Sequence, residues 1–81
     1  SNPRRRAIQE VLQSLSMKER EVLVLMDMED FSPAETALLV GSRPPEVMLI
    51  LQKARTKFAR EAARKGLDGP SRRPGSGRGR R

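Results

Sequence analysis

Ile8, Val11, Leu12 and Leu15 recur at helical spacing after Arg4-Arg5-Arg6, which predicts an amphipathic helix over about 4–15. Ser16 and Glu19 follow in capping-box register: the hydroxyl can accept the N–H three residues on, and the Glu can reach back. From there Val22, Leu23, Leu25, Met26 and Met28 carry a second helix to about Glu29. Ser32-Pro33-Ala34-Glu35 repeats the start signal, with Ser as N-cap, Pro at the first helical position and Glu completing the box. The third helix is short, about 33–40, with Ala34, Ala37, Leu38 and Val40 available for packing. Gly41 ends it, because glycine holds a left-handed conformation easily. Pro44-Pro45 can open a fourth helix, since first-turn N–H groups have no helical partner to lose. Val47, Leu51, Ala54 and Phe58 form its apolar stripe as far as Arg64 or Lys65, and Gly66 is its natural stop.

No strand-like alternation and no repeat interrupts this series, so the fold class is all-α. The expected architecture is a four-helix, wingless helix-turn-helix domain over residues 4–65. Residues 66–81 are dominated by Gly, Pro, Ser and Arg, with Leu67 the only sizeable apolar group. Such a segment cannot offset its ordering entropy by burial, and it is expected to be a disordered, basic Arg/Gly/Pro-rich tail. A short helix, a Gly turn and a longer helix suit duplex DNA geometrically. The second helix fits the major groove while the first braces the backbone.

Charge sharpens that expectation. The chain of 81 residues has a formal net charge of +7. Residues 1–50 carry six Lys/Arg against eight Asp/Glu, whereas 51–81 carry eleven against Glu61 and Asp68. A basic C-terminal half on a near-neutral helical body is the footprint of contact with a polyanion. Cys and His are absent, which removes thiolate ligands, disulfides and the commonest general base. No nucleophile–base pair, paired acids or phosphate-cradling Gly loop is present, so neither catalysis nor a cofactor is expected. The acidic Asp27, Glu29 and Asp30 read as a solvated helix end, and no metal is expected there. No apolar run approaches a membrane span, and a reducing cytoplasm is the expected location.

The run Leu12-Gln13-Ser14-Leu15-Ser16-Met17-Lys18-Glu19-Arg20-Glu21-Val22-Leu23-Val24-Leu25 closely resembles the opening of region four of bacterial RNA polymerase sigma factors. There a LxxLPxxxREVLxL run forms two helices. Phe31-Ser32-Pro33-Ala34-Glu35-Thr36-Ala37-Leu38-Leu39-Val40-Gly41 is similar to the family's xSxxEIAxxLG helix. Val47, Leu51, Lys53-Ala54-Arg55 and Phe58 stand where its recognition helix reads TVxSRLxRARxxL. The resemblance covers about residues 7–63 without a gap. Within the sigma-seventy family it is greatest to the extracytoplasmic-function (ECF) group. It implies binding of the minus-35 promoter element and of the polymerase core, where a groove of the first three helices docks on the flap of the β subunit. Val22, Leu25, Met26 and Leu38 are the candidates for that groove.

The departures fall on the reading helix. Its start is typically small and polar in the family, followed by Lys, Ser and Arg facing the promoter. Here the positions read Arg43, Pro44, Pro45 and Glu46, then Met48, Leu49 and Ile50. Leu49 lies nearly opposite the apolar stripe, Met48 on its side, and Ile50 near the stripe's edge. Two readings follow. In the first, Arg43, Gln52, Lys53, Arg55 and Lys57 contact DNA, helped by the basic tail. In the second, Met48, Leu49 and Ile50 form a protein-binding face for an anti-sigma factor or another regulator. The set Lys53, Arg55, Lys57, Arg60, Arg64 and Lys65 is spread around the helix, so some of it serves solvation alone.

Overall fold

After the first helix, helix starts fall where the sequence places start signals. The structure, a computed structural model, describes residues 2–67; most of the expected tail, from Asp68 on, lies outside the described residues. Helix α1 spans Pro3–Gln13 and α2 Met17–Leu23, which runs on into a π-helical turn, Val24–Met28. Helix α3 spans Pro33–Val40 and α4 Pro44–Arg64. No strand occurs among the described residues, and the all-α architecture is the one predicted.

Helix α1 begins a residue earlier than the apolar pattern suggests, because Asn2 caps it. The Asn2 Oδ1 accepts the N–H groups of Arg4 at 2.9 Å and Arg5 at 3.3 Å. Both predicted capping boxes are formed. Ser16 Oγ accepts the Glu19 N–H at 3.2 Å, and Glu19 Oε1 accepts the Ser16 N–H at 3.0 Å. At α3 the corresponding distances for Ser32 and Glu35 are 3.0 and 2.8 Å. A side-chain cap of this kind contributes about 1 kcal/mol.

The second helix does not stay α-helical to Glu29. It widens, with the Glu29 N–H on the Val24 carbonyl at 3.0 Å and the Phe31 N–H on the Leu25 carbonyl at 2.9 Å. Asp30 then takes a left-handed conformation, φ 63°, and turns the chain toward α3. Over five residues an apolar pattern cannot distinguish an α-helical from a π-helical turn.

Gly41 breaks the chain as expected, at φ 70° and ψ 41°. Its own N–H and that of Ser42 (2.9 Å) both reach the Ala37 carbonyl. A Cβ there would meet no atom within 4 Å, so the glycine is required by backbone conformation and not by crowding. At the far end of α4, Gly66 donates to the Ala63 carbonyl at 3.0 Å and Leu67 to that of Ala62 at 2.8 Å. This is a Schellman cap. The first two residues assigned to the tail are therefore part of the helix end.

Helix α4 is the axis on which the other three rest. Leu15, Val22, Leu23, Ala37, Val47, Leu51 and Ala54 form the buried cluster, flanked by Leu12, Met26, Val40, Ile50 and Phe58. The short α3 buries only a narrow stripe, Thr36 and Ala37 with Val40 half-buried. Ala34 and Leu38, expected to pack, lie on its outer side, and Leu38 is 85% exposed. The inward place goes to Thr36, whose hydroxyl is fully buried without a hydrogen-bond partner.

Candidate nucleic-acid interface

The turn Gly41-Ser42-Arg43 sets the angle between α3 and α4, and Lys18 ties it to α2 through its ammonium on Ser42 Oγ at 3.2 Å. Arg43 is the extended N-cap residue of α4, φ −113° and ψ 152°. Its N–H donates to Glu46 Oε1 at 3.4 Å. A helix start ordinarily attracts anions through its free N–H groups. Here Pro44 and Pro45 have none, and the Glu46 carboxylate already occupies the end. Phosphate contact at this helix must come from side chains.

Those side chains are arranged along α4. Gln52, Lys53, Thr56, Lys57 and Arg60 line one shallow, open groove together with Glu19. Lys53 and Arg60 form no ion pair among the described residues. The Lys57 ammonium sits 2.9 Å from Glu19 Oε2. Arg55 faces away from this groove, and its Nε and Nη2 grip Asp27 at 2.8 and 2.7 Å. Leu23, Met28, Phe58 and Ala59 surround that pair. Further along, Arg64 meets Glu61 at 3.3 Å and Lys65 meets Glu10 of α1 at 3.0 Å. The cations scattered around α4 in sequence are thus sorted by partner.

Local charge follows the same partition. The Lys57 ammonium first, then the Ser16 N–H, hold the Glu19 carboxyl below its ordinary pKa, against the opposing effect of burial. The Arg55 guanidinium does the same for Asp27 and is itself held more firmly protonated. The acidic cluster ending the second helix therefore has a role unseen in sequence, because Asp27 anchors α4. Among the described residues no group of acidic side chains is placed to hold a metal.

Of the five DNA-contact candidates, the structure brings Gln52, Lys53 and Lys57 together, leaves Arg43 at the helix start and puts Arg55 on another flank. Sequence reasoning left out Thr56 and named Arg60 only within the scattered basic set, although their spacing from Gln52 and Lys53 along a helix placed them on one face. In the apolar set, Leu49 is 63% and Met48 42% exposed, whereas Ile50 packs against the core. Among the docking candidates Val22 is buried, Leu25 and Met26 are half-buried and Leu38 is exposed. No helix among the described residues is long and apolar enough to cross a membrane.

A family model described as sigma-70, region 4 matches residues 5–58. No curated protein and no solved structure matches the chain.

Proposed function

The chain belongs to the sigma-70 region 4 family, and on that premise we propose that it binds the minus-35 element of promoters and the RNA polymerase core. The single observation that carries the DNA side is the open face of α4, where Lys53 and Arg60 stand unpaired beside Gln52 and Thr56. Gln52 and Lys53 supply contacts to bases and backbone, Arg43 reaches phosphate from the helix start, and Lys57 exchanges Glu19 for phosphate at the groove edge. Arg55 acts as a positioning residue through Asp27. On the polymerase side, exposed Leu38 with half-buried Leu25 and Met26 docks on the β-flap.

The likeness of the Leu12–Leu25 and Phe31–Gly41 runs supports placing the chain in the ECF group, acting in the cytoplasm as the C-terminal domain of such a sigma factor. The four helices form the reading module, and the tail beyond Leu67, with its five arginines, adds electrostatic contacts that weaken with salt. The test is competition between a duplex selected from a randomised pool and random duplex. A promoter reader prefers the selected duplex by about 10³ or more, and Lys53→Ala weakens that binding. The exposure of Met48 and Leu49 favours a second reading, a face for an anti-sigma factor or another regulator. In that case duplex binds without preference, at about 10⁻⁴–10⁻⁶ M at physiological salt, and Leu49→Ser with Met48→Lys impairs partner binding instead.

A further inference from the structure

We infer that Leu49, with Met48 beside it, is a specificity-determining residue that reads thymine methyl groups in the major groove. The inference rests on the DNA-binding reading above. Helix-turn-helix proteins present the N-terminal residues of the second helix to base edges. In α4 those exposed residues are Pro44, Pro45, Glu46, Met48, Leu49, Gln52 and Lys53. The two prolines offer no donor, and Glu46 is turned back on the Arg43 N–H at 3.4 Å. What projects from the middle of this surface is an aliphatic side chain, 63% exposed.

Leu49 shares its face with the unpaired cations. Gln52, Lys53, Thr56 and Arg60 follow it at i+3, i+4, i+7 and i+11, which stacks them on one side of a helix. This charge pattern selects the occupant. Two free cations directly beyond an apolar tip suit a polyanion whose recessed surface carries apolar spots. Duplex DNA has that form, with phosphates at the rims of the major groove and one apolar group, the C5-methyl of thymine, on its floor. A leucine can neither donate nor accept, so the thymine methyl is the one base feature it can select. Gln52, one turn on, supplies the polar complement, since a carboxamide can pair with adenine N6 and N7. The preferred sites are therefore rich in A·T pairs at the positions under the first two turns of α4.

The test uses the 81-residue chain and two versions of the duplex that it selects from a randomised pool, one with thymine and one with every thymine replaced by deoxyuridine. The replacement removes only the methyl groups and leaves pairing and charge unchanged. Wild type should bind the uridine duplex several-fold more weakly, about four-fold for each methyl in contact at the usual value of a buried methylene. Leu49→Ala should bind both duplexes with nearly equal affinity. Equal binding of the two duplexes by wild type overturns the inference while the DNA-binding reading stands. A thymine preference that survives intact in Leu49→Ala also overturns it. Failure to bind either duplex overturns both readings together.

Discussion

Glu19 serves two partners at once, and replacing it separates their contributions. Its carboxylate is 8% exposed as a residue, accepts the Ser16 N–H at 3.0 Å, and pairs with Lys57 at 2.9 Å. Glu19→Gln keeps the shape and the acceptor but removes the charge. A hydrogen bond to a charged group contributes about 1.5–3 kcal/mol and a neutral one about 0.5–1.5. Lys57 is half-exposed, so solvent screening places the loss for Gln at the low end, about 0.5–1 kcal/mol. Glu19→Ala also strands the cap and should lose about 1.5–3 kcal/mol. In a domain of this size, with total stability of about 3–10 kcal/mol, either change is measurable. The assay is urea unfolding followed by far-ultraviolet circular dichroism, where the midpoint shifts and the slope does not. Acid supplies the decisive control. The Glu19 pKa is lowered in the folded state, so its contribution is complete above the unfolded-state pKa and is lost as pH falls through the folded value. Wild type and Glu19→Gln should differ at pH 7 and converge as pH falls through the lowered folded-state pKa. A Gln variant as stable as wild type at pH 7, or a gap that persists in acid, refutes the charge argument.

Gly41→Ala should cost about 1–2 kcal/mol from the left-handed backbone alone, and Gly41→Asn less, because no neighbour crowds the site; thermal melts of the two variants check this ordering. Thr36→Val removes a buried hydroxyl that has no partner and should raise stability by about 1 kcal/mol, read as an upward shift of the urea midpoint. Leu51→Ala should lose about 2–5 kcal/mol and leave little folded protein at 37 °C, visible as lost helical signal. With no histidine in the chain, wild-type stability should be nearly flat from about pH 5 to 8 and decline below, as Glu19 and Asp27 take up protons; denaturation midpoints across that range test the profile.

Helix boundaries were legible because their signals are local. Ser16, Glu19, Ser32, Glu35, Gly41 and Gly66 each act on atoms within a few residues, and each does so in the structure. Asn2 is equally local, yet the apolar pattern starts the helix at about residue 4 and passes over this cap before Pro3. The π-helical turn was not legible, since its apolar residues satisfy either winding. Leu38 was misplaced because an eight-residue helix has too few positions for periodicity to single out its inner side. The ion pairs were invisible for a different reason. Asp27 and Arg55 are 28 residues apart and Glu19 and Lys57 are 38 apart, so pairing depends on how α2 crosses α4. That crossing also decides which cations of α4 are ion-paired and which are not.

The two ion pairs have a mechanical consequence. Asp27 lies at the far end of the second helix and Glu19 at its start, and they hold α4 from opposite flanks, at Arg55 and Lys57. Together they act as stays on a lever whose tip is Leu49, about 9–12 Å along the axis from the anchor points at 1.5 Å per residue. A tilt of about 10° at the anchors would carry the tip through roughly 2 Å, more than the spread of ordinary hydrogen-bond lengths. Unlike the part-buried Glu19–Lys57 pair, the exposed Asp27–Arg55 pair should add little to stability. Asp27→Ala should therefore leave the melting temperature almost unchanged while blurring discrimination between selected and random duplex.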